Sequence, residues 1–237
     1  MAGLTLDTLQ NLLGYQFHNP QLLLEALTHS SYVQEASQRV RDNEQLEFLG
    51  DAVLSFLVSV RLADVFPQLE EGRLSRARAR LVAAEHLAKV AARLELGEYL
   101  RLGRGEEKTG GRAKSNLLVN ALEALLAALY RDGGLDVAQR FVERFVLPED
   151  LTASAEELFS TDYKSALQEY LQSERAAAAD YCVVDETGPE HQKTFTVEVT
   201  AGESWVARGS GGSKKAAEQQ AAKALWERLG RKTEAHD

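Results

Sequence analysis

A chain of 237 residues, 44% hydrophobic and 27% charged, is long enough for one large domain or two unequal ones, and its composition excludes wholesale disorder. Its net charge of −9 weighs against a generally basic nucleic-acid-coating protein, so any grip on phosphate must come from the placement of charges and not from their sum. The longest apolar run, residues 52–60, is interrupted by Ser55 and Ser59 and falls short of a membrane span. The N-terminus lacks the basic and apolar regions of a secretory signal, and Cys182, the only cysteine, rules out an internal disulfide or a cysteine-built zinc site. Together these features fit a cytoplasmic protein.

Apolar residues recur at three- and four-residue spacing over 22–27, 45–62, 75–94, 114–130 and 135–145, in stretches rich in Leu, Ala, Arg and Glu, which predicts helices. Glu71-Gly72, Gly97, the segment 103–111 and Asp132-Gly133-Gly134 separate them. Residues 1–147 therefore read as an all-α domain. The composition shifts at Pro148, and residues 148–160, rich in Ser, Thr, Ala and Glu, read as a linker. Beyond it the pattern predicts a helix over 163–172, strands over 181–184, 194–199 and 205–209, and a last helix over 213–229. That order makes 161–230 a small α+β domain, which can bury a core only with both helices on one face of the sheet. Residues 231–237 form a tail.

The most informative stretch is Asn43-Glu44-Gln45-Leu46-Glu47-Phe48-Leu49-Gly50-Asp51. On a helix, Glu47 and Asp51 share a face one turn apart, with Glu44 three residues before Glu47 on the same face. Like charges at this spacing repel, and a cation relieves the repulsion; hard oxygen donors suit Mg²⁺, Mn²⁺ or Ca²⁺ better than zinc. Leu46, Phe48, Leu49 and Val53 supply an apolar face to hold this helix in a core. A second polar pair, Asn120 and Glu123, shares a face of an otherwise apolar helix, where a carboxylate is costly to bury unless it is paired or bound to a metal. Charge alone leaves two readings open, solvated faces of amphipathic helices or a divalent-cation site.

The stretch from Asn43 to Asp51 resembles the signature nonapeptide of the ribonuclease III family, NERLEFLGD, with Gln45 in place of the usual Arg. The resemblance extends to Leu27-Thr28-His29-Ser30-Ser31-Tyr32, to Glu71-Gly72-Arg73-Leu74-Ser75, to Leu100-Arg101-Leu102-Gly103-Arg104-Gly105-Glu106-Glu107, and to the run from Leu122-Glu123-Ala124-Leu125 through Tyr130-Arg131-Asp132-Gly133-Gly134. It implies a metal-dependent endonuclease for double-stranded RNA, acting as a homodimer in the processing of ribosomal and messenger RNA. It implies hydrolysis by a metal-activated water, leaving 5′-phosphate and 3′-hydroxyl ends with short 3′ overhangs. The metal-binding positions of the family map to Glu47, Asp51, Asn120 and Glu123, with Glu44 as an auxiliary acid. Phe48 matches an aromatic that inserts into the partner subunit; plain helix packing is its other reading. His29 reads as a structural hydrogen-bonding residue. The family position held by Asn120 is usually Asp, so the chain is expected either to prefer Mn²⁺ over Mg²⁺ or to be a catalytically impaired RNA-binding protein of the same fold.

The C-terminal domain resembles a double-stranded-RNA-binding domain, with three matching contact regions. Gln168 and Gln172 lie four apart on its first helix, within reach of 2′-hydroxyls in a minor groove; His191 stands in a turn between strands; Lys214 and Lys215 open the last helix, where free N–H groups also favour phosphate. From Asp162 onward there are ten Lys or Arg against thirteen Asp or Glu, a balance that predicts weak affinity with a steep salt dependence. Trp205 and Phe195 read as sheet core.

Overall fold

The computed structural model of the protein describes residues 5–36, 40–159, 163–189, 193–202 and 205–233. Contacts divide it into two compact units, Met1–Phe159 and Ser160–Asp237. The first contains helices α1 (Leu6–Leu13), α2 (Pro20–Ala26), α3 (Ser30–Glu35), α4 (Glu44–Val65), α5 (Glu71–Leu81), α6 (Ala84–Arg93), α7 (Leu96–Tyr99), α8 (Arg104–Lys108), α9 (Ser115–Gly133), α10 (Leu135–Phe141) and α11 (Ala155–Leu158), with a 3-10 turn at Gly111–Ala113 and a π turn at Val142–Val146.

Helix α9 is the axis of this unit. It is apolar around most of its circumference, and Leu118, Ala121, Leu122, Leu125, Leu126 and Leu129 are all buried, as such a pattern requires. Helices α2, α4, α6 and α10 surround it. Each leucine so enclosed contributes roughly 1.5–3 kcal/mol relative to exposure. At the C-terminal end of α9, Asp132 accepts the Tyr15 hydroxyl at 2.7 Å and the backbone N–H groups of His18 and Asn19 at 2.8 and 2.9 Å, tying the α1–α2 loop to the axis. Burial opposes the charge on Asp132, yet these hydrogen bonds hold its carboxyl below the usual range, while burial and the same contact push Tyr15 up to about 12.

The predicted helix over 75–94 is two helices, broken at Val82 and Ala83, where Ala83 is extended at φ −65° and ψ 141°. No glycine or proline marks the break. It allows Leu81 of α5 and Leu87, Val90 and Ala91 of α6 all to enter the core, a tertiary demand that local pattern does not reveal. Glu71-Gly72, expected as a separator, is the first turn of α5. Within 148–160, Leu151 and Leu158 are buried in the core of the first unit, Phe159 meets Phe66 edge-on at 4.8 Å, and Arg80 donates to the Leu158 carbonyl at 3.1 Å.

The second unit has α12 (Tyr163–Ser173), then β1 (Asp180–Thr187), β2 (Thr194–Ala201) and β3 (Trp205–Gly211) in an antiparallel sheet of order β1-β2-β3, then α13 (Lys214–Thr233). Val197 and Val199 of β2, Ala207 of β3, Leu167 and Leu171 of α12, and Ala217, Ala221 and Leu225 of α13 make one core. Both helices thus cover one sheet face, as the order of elements demanded. Phe195 and Trp205 pack against that core. A Cβ on Gly209 would lie 2.1 Å from the backbone nitrogen of Ala221, so β3 and α13 meet through small residues on both sides.

The tightest contact of the first unit joins α4 to α9. A Cβ on Gly50 would lie 1.9 Å from the carbonyl oxygen of Glu123 and 3.1 Å from its Cα, so the two backbones touch there. Gly50→Ala is expected to force these helices apart and lower stability by about 1–3 kcal/mol, read as a fall in urea midpoint without a change in slope. An unchanged midpoint would mean that this contact yields freely.

Candidate active site

Three sequence elements form the mount on which the carboxylates stand. Asn43, only 3% exposed, begins α4; its N–H donates to the Thr28 carbonyl at 2.9 Å and its side-chain amide to the Ala26 carbonyl at 3.3 Å. Thr28 is fully buried and pairs with Arg101 in a single parallel bridge, through Arg101 N–H to Leu27 O at 2.8 Å and His29 N–H to Arg101 O at 3.1 Å. The Arg101 guanidinium donates to Thr28 Oγ1 at 3.2 Å and lies 4.2 Å from the centroid of the Tyr32 ring. The segments around Thr28, Asn43 and Arg101, far apart in the chain, are thereby locked as one body at the N-terminus of α4.

Helix α4 then presents Glu44, Glu47 and Asp51, and α9 presents Asn120 and Glu123. All five line one depression of about 480 Å³ together with His29, Ser30, Asn43 and Phe48. The Gly50 contact sets this meeting, because Glu47 and Asp51 flank Gly50 and the carbonyl it touches belongs to Glu123. Burial, then the charges of Asp51 and Glu47, push the Glu123 carboxyl up to about 7. Burial and the neighbouring Glu44 also raise Glu47, while a hydrogen bond from Asn120 and the nearby His29 act to lower it. A carboxylate only accepts, so Asn120 must spend its amide N–H on Glu47, which leaves its Oδ1 free to accept or to ligate.

The donor set of three to four carboxylates and one amide oxygen is all hard oxygen and suits Mg²⁺ or Mn²⁺. Among the described residues no three carboxylate, imidazole or thiol groups stand close enough to hold an ion as placed.

His29 and Asn43 enter the pocket from positions that helical spacing could not flag. The Ser31 N–H donates to His29 Nδ1 at 3.3 Å, and Ser31 Oγ, which accepts the Gly103 N–H at 2.9 Å, lies 2.8 Å from the same nitrogen. With Nδ1 accepting, the neutral ring carries its proton on Nε2 and is a donor there, which agrees with a hydrogen-bonding role. Phe48, expected on the apolar face with Leu46 and Val53, departs from it. Leu46 and Val53 are buried, Leu49 is half-buried, and Phe48 is 82% exposed at the rim of the depression. Two residues past buried Leu46 the helix has turned Phe48 outward, and at i, i+8 and i+12 Phe48, Phe56 (52% exposed) and Val60 (40% exposed) form an apolar stripe along α4.

In the second unit Gln168 and Gln172 lie exposed on α12, beside buried Leu167 and Leu171. Lys214 and Lys215 are exposed in the first turn of α13, where the Ser213 hydroxyl accepts the Ala216 N–H at 3.1 Å. Cations at the positive end of a helix dipole are disfavoured unless an anion joins them. His191 lies outside the described residues.

Fold and site together define a two-part protein, a helical unit with an oxygen-rich site followed by a helix–sheet–helix module. Comparison with known proteins makes this specific. The family model described as ribonuclease-III-like matches residues 19–150, and that described as double-stranded RNA binding motif matches 163–229. Ribonuclease 3 of Solibacter usitatus is 50% identical, covering 92% of this chain and 84% of that protein. Ribonuclease 3 of Desulforamulus reducens is 46% identical over 94% of this chain and 91% of its own length. The nuclease domain of ribonuclease III from Campylobacter jejuni, which has a region involved in dimer formation, superposes with a TM-score of 0.56 at 35% identity, covering 66% of this chain and all of that one. The chain belongs to the ribonuclease III family. Nothing in these relatives favours an impaired binding protein.

The raised Glu123 carboxyl has a consequence for stability without metal. Its folded pKa of about 7 lies above its ordinary value of 4.5, so the folded state binds the extra proton, and the contribution of this group to stability falls as pH rises from about 4.5 to about 7. In EDTA, Glu123→Gln is therefore expected to raise Tm at pH 8 and to change it little at pH 5. Equal effects at both pH values would show that Glu123 is not strained by its neighbours.

Proposed function

We propose that this protein cleaves both strands of double-stranded RNA by hydrolysis, using a divalent cation held by Glu47, Asp51, Asn120 and Glu123, with Glu44 as an auxiliary acid. The observation that carries the reading is the meeting of two carboxylates from α4 with an amide and a carboxylate from α9 across the Gly50 contact. Divalent ions in such a set make water nucleophilic near neutral pH and offset the charge that gathers on the phosphate under attack. The chain's own residues supply the rest. Glu47 and Asp51 are fixed one turn apart by α4, whose start is pinned through Asn43. Asn120 orients Glu47 by hydrogen bonding and offers Oδ1 to the cation. Glu123, pushed toward neutrality when alone, becomes charged when a cation balances it. His29, donating from Nε2, is placed to steady a phosphate oxygen or a carboxylate. Products carry 5′-phosphate and 3′-hydroxyl ends.

Asn120 also bears on the choice of metal. An aspartate there would add another negative charge to a cluster that already repels itself and could not donate to Glu47. The neutral amide relieves the metal-free site and weakens its hold on a cation, and Mn²⁺, which binds mixed donor sets more tightly than Mg²⁺, is favoured. On a perfect RNA duplex at low salt, cutting is expected in Mn²⁺ and more slowly in Mg²⁺, with none in EDTA or with Glu123→Ala. Asn120→Asp should narrow the gap between the two metals. Intact duplex with either metal would sink the nuclease reading, and equal rates in both would sink the metal preference alone.

The apolar stripe of Phe48, Phe56 and Val60 supports a homodimer through α4, with Phe48 entering the partner, so that two sites act on one duplex and leave short 3′ overhangs. Gln168, Gln172, His191, Lys214 and Lys215 hold the RNA by its A-form shape, largely without regard to sequence. RNA processing puts the enzyme in the cytoplasm, and no helix among the described residues is long and apolar enough to cross a membrane. Truncation of a central aromatic anchor costs about 2 kcal/mol or more of association. Phe48→Ala is therefore expected to shift light scattering from dimer toward monomer at micromolar concentration, and an undisturbed dimer would place the interface elsewhere.

A further inference from the structure

The second unit is net acidic, and Lys164, Lys193, Lys214 and Lys223 are each already paired with a glutamate. Glu186, near the end of β1, reaches two of them with its two oxygens: Oε1 lies 3.4 Å from Lys214 Nζ and Oε2 lies 3.6 Å from Lys193 Nζ. Lys214 also lies 5.6 Å from the centroid of the Phe195 ring, and Phe195 is the β2 partner of Glu186 in the sheet register. Lys193 immediately precedes β2 and Lys214 opens α13, so one carboxylate collects cations from two separate elements at the end of the sheet where β1 and β2 meet. All three side chains remain partly in water, with 39% of the Glu186 side chain exposed, so the pairs can open and exchange with another anion. Lys215, the next residue, has no ion pair among the described residues.

We infer that Glu186 is an internal counter-ion which competes with RNA phosphate for Lys193 and Lys214 and so sets the affinity of the module for duplex RNA. The inference rests on the reading above that Lys214 meets phosphate. A lysine already paired must give up its carboxylate before it takes a phosphate, and the carboxylate left behind gathers cations of its own. Fewer ions are then released per contact, so binding is weaker, and its salt dependence is shallower than the steep one expected from the sequence. Glu186 is in this sense an affinity-determining residue of an RNA-binding surface, acting through its lysines without touching RNA.

The test uses the full-length protein, a perfect RNA duplex and EDTA to prevent cutting, with affinity measured from 50 to 200 mM salt. Glu186→Gln keeps the side chain's size and hydrogen-bonding reach while removing its charge. It is expected to tighten binding by about threefold or more at the low-salt end and to steepen the plot of log affinity against log salt by up to about 0.9, the contribution of one additional free phosphate contact. Lys214→Ala is expected to weaken binding, and in a Lys193→Ala/Lys214→Ala background Glu186→Gln should lose most of its effect. If Glu186→Gln leaves affinity and slope unchanged while Lys214→Ala weakens binding, the counter-ion role is overturned and the RNA-contact reading stands. If Lys214→Ala changes nothing, the contact reading itself fails and the inference with it. Tightening that persists without the two lysines would also overturn the inference, because it would reflect net charge and not competition for these groups.

Discussion

At Gly50 the two longest helices of the first unit meet backbone to backbone, and a single methyl group there would stand 1.9 Å from the carbonyl oxygen of Glu123. Helix axes normally lie 8–10 Å apart, separated by interdigitating side chains. A glycine at the crossing removes that spacer, and its neighbours along α4 are then carried to within reach of polar groups on α9. Glu47 lies three residues before the crossing and Asp51 one after it; Glu123 is at the crossing and Asn120 one turn before. The concentration of negative charge follows from this geometry. So does the lifting of Glu123 to about 7.

The remainder of the first unit keeps that crossing rigid. The apolar circumference of α9 makes it a buried axis, and Asp132 fastens its far end to the α1–α2 loop. The Thr28–Arg101 bridge and buried Asn43 fix where α4 begins. Several motif residues that resemble functional ones therefore serve the site from behind. Thr28, Asn43, Ser31, Arg101 and Gly103 hold one another, and through them the start of α4 and the ring of His29. Each has a structural role of this kind, and Asn43 also lines the depression.

Much of this was legible in the sequence, for identifiable reasons. The α-only first part and the helix–sheet–helix second part follow from apolar periodicity, which is a direct record of which faces are buried. The pairing of Glu47 with Asp51 and of Asn120 with Glu123 follows from helical spacing. That the two pairs belong together does not follow from spacing, and it came through family resemblance; its physical cause is a glycine whose importance depends on what lies opposite. The break at Ala83 was invisible because core packing imposes it without a breaker residue. The outward turn of Phe48 was hidden among apolar neighbours, and the hold of Glu186 on two lysines lies in strand register and side-chain reach, which composition records only as a net acidic balance.

The proposed cation site draws on both helices at the Gly50 crossing. Anomalous diffraction from crystals grown with Mn²⁺ would test it most directly. A peak bounded by oxygens of Glu47, Asp51, Asn120 and Glu123 is expected. A peak held by α4 carboxylates alone, with Asn120 and Glu123 turned away, would contradict it.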